Sequence, residues 1–227
     1  MIIDSPKKEF RSELKRLSEE GERLAEAKKY PEAERAFLGA LMLIRKSGID
    51  ADPEIKLFAN RIIKKNGDMA LSVNDVIKAM SYYTRLAKEE LNSQEGNQAS
   101  LKNFLENMDK AAKALEAINH AGNAVYASKG FIEMGLRYSE YKDMLANKER
   151  NGSVHVTCKT SRETEALLLK SRICMYKSLE IMEKLPRDPK GQNYGFLLAE
   201  ISDFAVFSRD SDMLKICTRL SERKNPQ

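Results

Sequence analysis

The sequence predicts an all-α chain of eight to ten helices, folded as stacked antiparallel hairpins within a single helical domain. Three observations carry that prediction. Apolar residues recur at helical spacing along most of the chain, as in Leu101, Leu105, Met108, Ala112 and Leu115. Turn formers are scarce: six Pro and eleven Gly in 227 residues are too few for a sandwich or barrel with many turns. Charged residues reach 32% against 7% aromatics and no Trp, which suits helices with solvated outer faces.

Ser5-Pro6 opens the first helix, with Ser as cap and Pro at the first helical position. Phe10, Leu14, Leu17, Gly21 and Leu24 carry its apolar stripe, and Lys28-Lys29 suit the negative end of its dipole. Pro31 starts a second helix, with Ala33, Phe37, Ala40 and Ile44 on one face, that stops at Ser47-Gly48. Asp52-Pro53 starts a third helix, buried through Ile55, Phe58, Ala59, Ile62 and Ile63. Asn66-Gly67 reads either as part of that helix or as the turn that ends it. Ser72 to Asp75 has the form of a capping box for the next helix.

The polar run Leu91 to Gln98 predicts a loop. Leu101 to Ile118 forms a long helix, Ala121 to Met134 another, and Tyr138 to Leu145 a further short one, so 92–147 reads as irregular helical pairs. Residues 148–160 break the rhythm. Asn151-Gly152 signals a turn, and Val154, Val156 and Cys158 alternate as in a strand, which predicts an extended loop that either orders against a partner or packs its valines on the neighbouring helices. Thr160 to Glu163 then caps the first of the C-terminal helices in 161–227.

One spacing is more specific than general helicity. Gly21 is followed by Ala33, Phe37 and Ala40 at offsets of 12, 16 and 19, with Leu17 and Leu24 flanking the glycine. Gly67, Ala79, Tyr83 and Leu86 repeat these offsets, with Ile63 and Ala70 in the flanking places. Small residues let two helix backbones approach, and the aromatic fills the gap between them. This pattern resembles a tetratricopeptide repeat and covers residues 15–91. Glu20 departs from the family's usual Leu and Arg45 from its frequent Pro. The two glycines stand 46 positions apart, which suggests an insertion or an extended turn near Gly48 to Pro53. The Ala33, Phe37 and Ala40 seam also resembles a microtubule-interacting-and-trafficking domain.

The resemblance implies a right-handed solenoid whose first helices line a groove for peptides or partner helices. Carried over onto this sequence, the groove presents Lys15, Ser18, Glu22 and Glu26 from the first repeat and Arg61, Lys64 and Asp68 from the second. Arg61, Lys64 and Lys65 make it basic, suited to an acidic protein or peptide partner. The function expected is that of a protein-interaction scaffold or adaptor. An uncapped end of such an array also leaves pairing with a second copy open.

A nucleic-acid-binding helical protein is the alternative. The 39 basic and 34 acidic residues leave a net charge of +5, and basic pairs recur at Lys7-Lys8, Lys28-Lys29, Lys64-Lys65 and Arg223-Lys224. Yet the signs are interspersed, and no nucleic-acid module is recognisable. The sequence contains no phosphate-binding glycine loop, HExxH, CxxC or nucleophile elbow, so neither enzyme activity nor a cofactor is expected. His155 and Cys158 make only two ligands, short of the three or four a zinc site needs. His120 reads as a packed or turn-capping residue. Three widely spaced cysteines, Cys158, Cys174 and Cys217, suit reduced thiols in the cytoplasm. The first residues do not form a signal peptide, and no apolar run is long enough to span a bilayer, so no membrane partner is expected.

Overall fold

The computed structural model describes residues 5–48, 52–92, 97–151, 158–185 and 192–222. Among the described residues there are nine α-helices and no strand: α1 Ser5–Glu26, α2 Tyr30–Ser47, α3 Pro53–Ser72, α4 Val76–Leu91, α5 Asn97–His120, α6 Ala124–Asn151, α7 Cys158–Lys184, α8 Gln192–Phe207 and α9 Ser211–Glu222. The chain divides into two compact units, Met1–Phe104 and Leu105–Gln227, and α5 runs across the division.

One turn is used four times. Between α1 and α2, α3 and α4, α5 and α6, and α8 and α9, a single residue takes a left-handed backbone: Lys28 (φ 58°), Asn74 (φ 61°), Gly122 (φ 89°) and Arg209 (φ 54°). Its N–H donates to the carbonyl three residues back, and the next residue's N–H reaches five back, as from Lys29 to Leu24, Asp75 to Ala70, Asn123 to Ile118 and Asp210 to Ala205. The pair satisfies carbonyls that a helix end leaves open. That next residue also begins the following helix, since its own carbonyl accepts from Ala33, Ala79, Ala127 or Leu214. Asp75, Asn123 and Asp210 cap with their side chains too, accepting from the N–H of Lys78 (3.3 Å), Tyr126 (3.4 Å) and Met213 (3.0 Å). Lys29 makes no such bond. The expected capping box at Ser72 is therefore displaced: Ser72 still belongs to α3, donating to Met69 O at 2.7 Å, and Asp75 is the cap.

In the first unit α1 and α2 form one hairpin and α3 and α4 another. Ala33, Phe37, Ala40 and Ile44 of α2 bury against Leu14 of α1 and against Ile62 and Ile63 of α3. The expected role of the glycines holds in atomic detail. A Cβ on Gly21 would lie 2.6 Å from the Phe37 ring, and one on Gly67 2.6 Å from the Tyr83 ring. Only hydrogen leaves room for each aromatic, both of them fully buried. Helix α3 continues through Asn66-Gly67 to Ser72, so the alternative reading of a turn there is excluded. Long helices account for much of the spacing between the two hairpins: α2 runs to Ser47, and α3 starts at Pro53, capped by Asp52, while residues 49–51 of the expected extended turn lie outside the described residues. Fourteen residues of α3 precede Gly67. The hairpins lie side by side, with Lys65 of α3 paired to Glu22 of α1, and Lys78 and Tyr82 of α4 both bonded to Glu34 of α2. The start of α5 follows on α4, where Ser100 Oγ donates to Ala87 O at 3.1 Å.

In the second unit α6 and α7 pack antiparallel through small residues. Ser128 and Ser178 share a hydrogen bond of 2.7 Å, and Ser171 donates to Gly135 O at 2.6 Å. The core gathers Ile132, Met175, Leu179 and Met182 with Leu197, Ile201 and Phe204 of α8 and Met213, Cys217 and Leu220 of α9. Helix α6 is one helix where two were expected. Its stripe of Met134, Tyr138, Tyr141 and Leu145 continues that of Ala127 and Phe131, and no turn residue interrupts it. The expected extended loop over 148–160 is shorter than its bounds. Lys148 to Asn151 prolong α6, Cys158 to Thr160 already belong to α7, and 152–157 with Val154, His155 and Val156 lie outside the described residues. Thr160 consequently sits inside α7 rather than capping it. Lys148, Glu149 and Arg150 favour helix, which outweighs the turn signal of Asn151 up to its own position.

Candidate functional site

A cleft of about 500 Å³ opens between α1 and α3. Ser18 and Glu22 line it from α1, and Arg61, Lys64, Lys65 and Asp68 from α3. The floor is apolar, made by Phe37 of α2 with Phe58 and Ile62 of α3. Helical spacing explains the convergence: Ser18 and Glu22 are four apart, and Arg61, Lys64 or Lys65, and Asp68 share one face of α3.

The charges inside the cleft are mostly committed to one another. Lys64 Nζ pairs with Asp68 Oδ2 at 2.6 Å, and Lys65 pairs with Glu22 across the cleft. Asp68 Oδ1 also accepts from Tyr83 Oη at 2.9 Å. Burial, together with that carboxylate, raises the Tyr83 phenol well above its ordinary range. Lys65 Nζ stands 6.0 Å over the Phe37 ring. Arg61 is exposed, and among the described residues its guanidinium has no partner. Three cations face two carboxylates, so the cleft carries one excess positive charge centred on Arg61.

Of the seven residues expected to form a groove, the structure brings five to this cleft: Ser18, Glu22, Arg61, Lys64 and Asp68. The other two do not line it. Lys15 is exposed and pairs along its own helix with Glu19 at 3.7 Å, and Glu26 is exposed at the end of α1. Phe58 was legible only as part of an apolar stripe; its half-buried ring closes the floor because α3 begins early enough to carry it there. His120 is exposed at the end of α5. Among the described residues, no three His, Cys, Asp or Glu side chains are placed to hold a metal ion, and no helix is long and apolar enough to cross a membrane.

No protein-family model matches the chain, and no curated protein matches it. A solved structure similar to it is described as a circular tandem repeat protein with novel repeat topology and enhanced subunit contact surfaces. The identity is 14% and the TM-score 0.47, over 92% of this chain and 50% of that one. The chain thus spans half the length of that structure.

Proposed function

We propose that the chain is a non-catalytic protein-interaction scaffold whose first four helices act as two tetratricopeptide-like hairpins. The cleft between α1 and α3 takes an acidic peptide or partner helix. One observation carries this reading: an unpartnered Arg61 stands beside Lys64 and Lys65 above the apolar floor of Phe37, Phe58 and Ile62. Such a surface offers burial to an apolar anchor and a cation to a neighbouring carboxylate. The matched contacts of Gly21 with Phe37 and Gly67 with Tyr83 support the family likeness. The period of 46, longer than the 34 typical of that family, is absorbed by longer helices.

Nucleic acid fits the cleft less well, because Lys64 and Lys65 are already neutralised by Asp68 and Glu22. Selection of a random displayed peptide library on the full chain tests the proposal. Sequences combining Asp or Glu with an apolar anchor should be enriched, and Arg61→Glu should weaken the selected peptides by about tenfold or more. Enrichment without acidic character, or binding indifferent to Arg61→Glu, would refute it. So would a single-stranded oligonucleotide that binds more tightly and with a steep salt dependence.

A further inference from the structure

A second cleft, of about 320 Å³, lies at the turn edge of the first unit. Three helix ends meet there: the start of α2, the end of α3 and the start of α4. Pro31, Met69 and Val73 give it apolar walls, and Glu34, Asp75 and Lys78 rim it. Its size and its few polar groups are those of a small ligand site.

Asn66 lines this cleft and is 2% exposed, yet neither its Oδ1 nor its Nδ2 has a partner among the described residues. Packing alone does not ask for an amide here. Ile62 and Ala70, four residues to either side, are buried and apolar, so Asn66 interrupts an otherwise continuous apolar stripe. A buried amide left unpaired is costly, and native chains almost always supply it a partner. The Glu34 carboxylate beside it is held in place, accepting from Lys78 Nζ at 2.6 Å and Tyr82 Oη at 2.5 Å. Two carboxylates against one ammonium leave the rim negative by one charge.

We propose that this cleft binds a short basic peptide segment through Asn66. A primary carboxamide presents an acceptor beside a donor. The matching partner is the N–H and C=O of a single residue, which a peptide main chain offers at every position. Asn66 Oδ1 accepts that N–H and Nδ2 donates to that C=O, once the amide turns about χ2 toward the cleft. The residue's side chain rests on Pro31, Met69 and Val73, and a neighbouring Lys or Arg meets Asp75 and Glu34. This site is separate from the acidic-peptide cleft and does not depend on it, since Arg61, Lys64 and Ser18 do not line it.

Titration of the labelled full chain with acetyl-Leu-Lys-N-methylamide, followed by NMR, tests the assignment. The Asn66 side-chain amide and the Met69 and Val73 methyl signals should shift saturably, with a dissociation constant on the order of 1 mM for so small a probe. Asn66→Leu keeps the bulk, removes the amide and should abolish the saturable shifts while raising the melting temperature. Val73→Arg provides a second variant that leaves the core untouched, because Val73 is 50% exposed; it should block the cleft. Arg61→Glu should leave the titration unchanged, so this proposal and the preceding one fail separately. Unshifted Asn66 signals in the parent would overturn the inference, as would undiminished binding by Asn66→Leu or Val73→Arg. Uracil, which offers the same donor–acceptor pair without a basic side chain, binding as well as the peptide would overturn the peptide assignment.

Discussion

Adding one methyl group at Gly21 tests the close approach of α1 and α2. In an open helix Gly→Ala stabilises by about 0.8–1.0 kcal/mol, through propensity alone. Here the new Cβ would stand 2.6, 2.7 and 2.9 Å from three ring carbons of Phe37. That ring is 0% exposed and enclosed by Leu14, Ala33, Ile62 and their neighbours, so it cannot swing away as the tip of a flexible chain would. Forcing a methyl into such packing costs about 1–3 kcal/mol. Gly21→Ala should therefore be destabilising by up to about 2 kcal/mol. Gly195→Ala is the control: Gly195 is exposed within α8, and no heavy atom lies within 4 Å of its Cβ position, so the change should stabilise by up to about 1 kcal/mol. Phe37→Leu, destabilising by itself, vacates the contested space, and in that background Gly21→Ala should turn favourable. The coupling energy should be about 1–3 kcal/mol. Urea unfolding followed by far-UV circular dichroism reads all four corners of the cycle. If Gly21→Ala stabilises equally with Phe37 and with Leu at position 37, the two backbones are not close and the hairpin packing is wrong.

Three further outcomes are expected. Lys29 starts α2 without a side-chain cap where the equivalent turns use Asp75, Asn123 and Asp210; Lys29→Asp should add about 1 kcal/mol and raise the melting temperature by about 2–4 °C. Burial pushes the Glu34 carboxyl up, but hydrogen bonds from Lys78 and Tyr82 outweigh it and hold the group below its ordinary value of 4.5. Its contribution is therefore complete above that value and is lost as pH falls through the lower folded one, so Glu34→Gln should be less stable than the parent at neutral pH, and acid titration of the melting temperature should show the gap closing. Burial pushes the Cys174 thiol up to about 12, with Lys170 and Lys177 only partly offsetting it, and raises Cys217 as well. Both should resist iodoacetamide at mildly alkaline pH in the native chain and react after denaturation, as peptide mapping will show.

The first hairpin was legible because its contacts are written within a short span of sequence. Gly21, Ala33, Phe37 and Ala40 fix both helices and their register, and the same offsets found Gly67, Ala79 and Tyr83. The groove residues came from the resemblance carried over onto this register, and helical spacing then sets Ser18 with Glu22 on one face of α1 and Arg61, Lys64 and Asp68 on one face of α3. Lys15 and Glu26 lie outside the cleft because only Ser18 and Glu22 of α1 line it opposite α3. Asn66 was overlooked because Asn-Gly reads as a turn. The signal that would have found it is the buried stripe of Ile62, Asn66 and Ala70, which continues past the glycine.

The third hairpin escaped for a different reason, one that shows what is constant in this chain. Counting from the residue that begins the second helix of each hairpin, Ala33, Ala79 and Ala127 all lie four positions on, and Phe37, Tyr83 and Phe131 eight. Eight positions before stand Gly21, Gly67 and then Leu115. A search keyed to glycine stops at that leucine. The space it needs is supplied from the facing helix, where Gly130 receives the Leu115 side chain. Bulk has moved from one helix to the other while the turn, the alanine and the aromatic kept their places, as volume-conserving exchange allows. Nor does the turn announce itself, because its left-handed position is filled by Lys28, Asn74, Gly122 and Arg209, only one of them a glycine. A left-handed backbone is costly for Lys or Arg, so these turns are imposed by the packing of the hairpins on either side rather than by their own sequence. The repeat in this chain is therefore a constraint on paired volumes across a fixed turn, and a single-position motif captures it only where the small partner happens to be on the first helix.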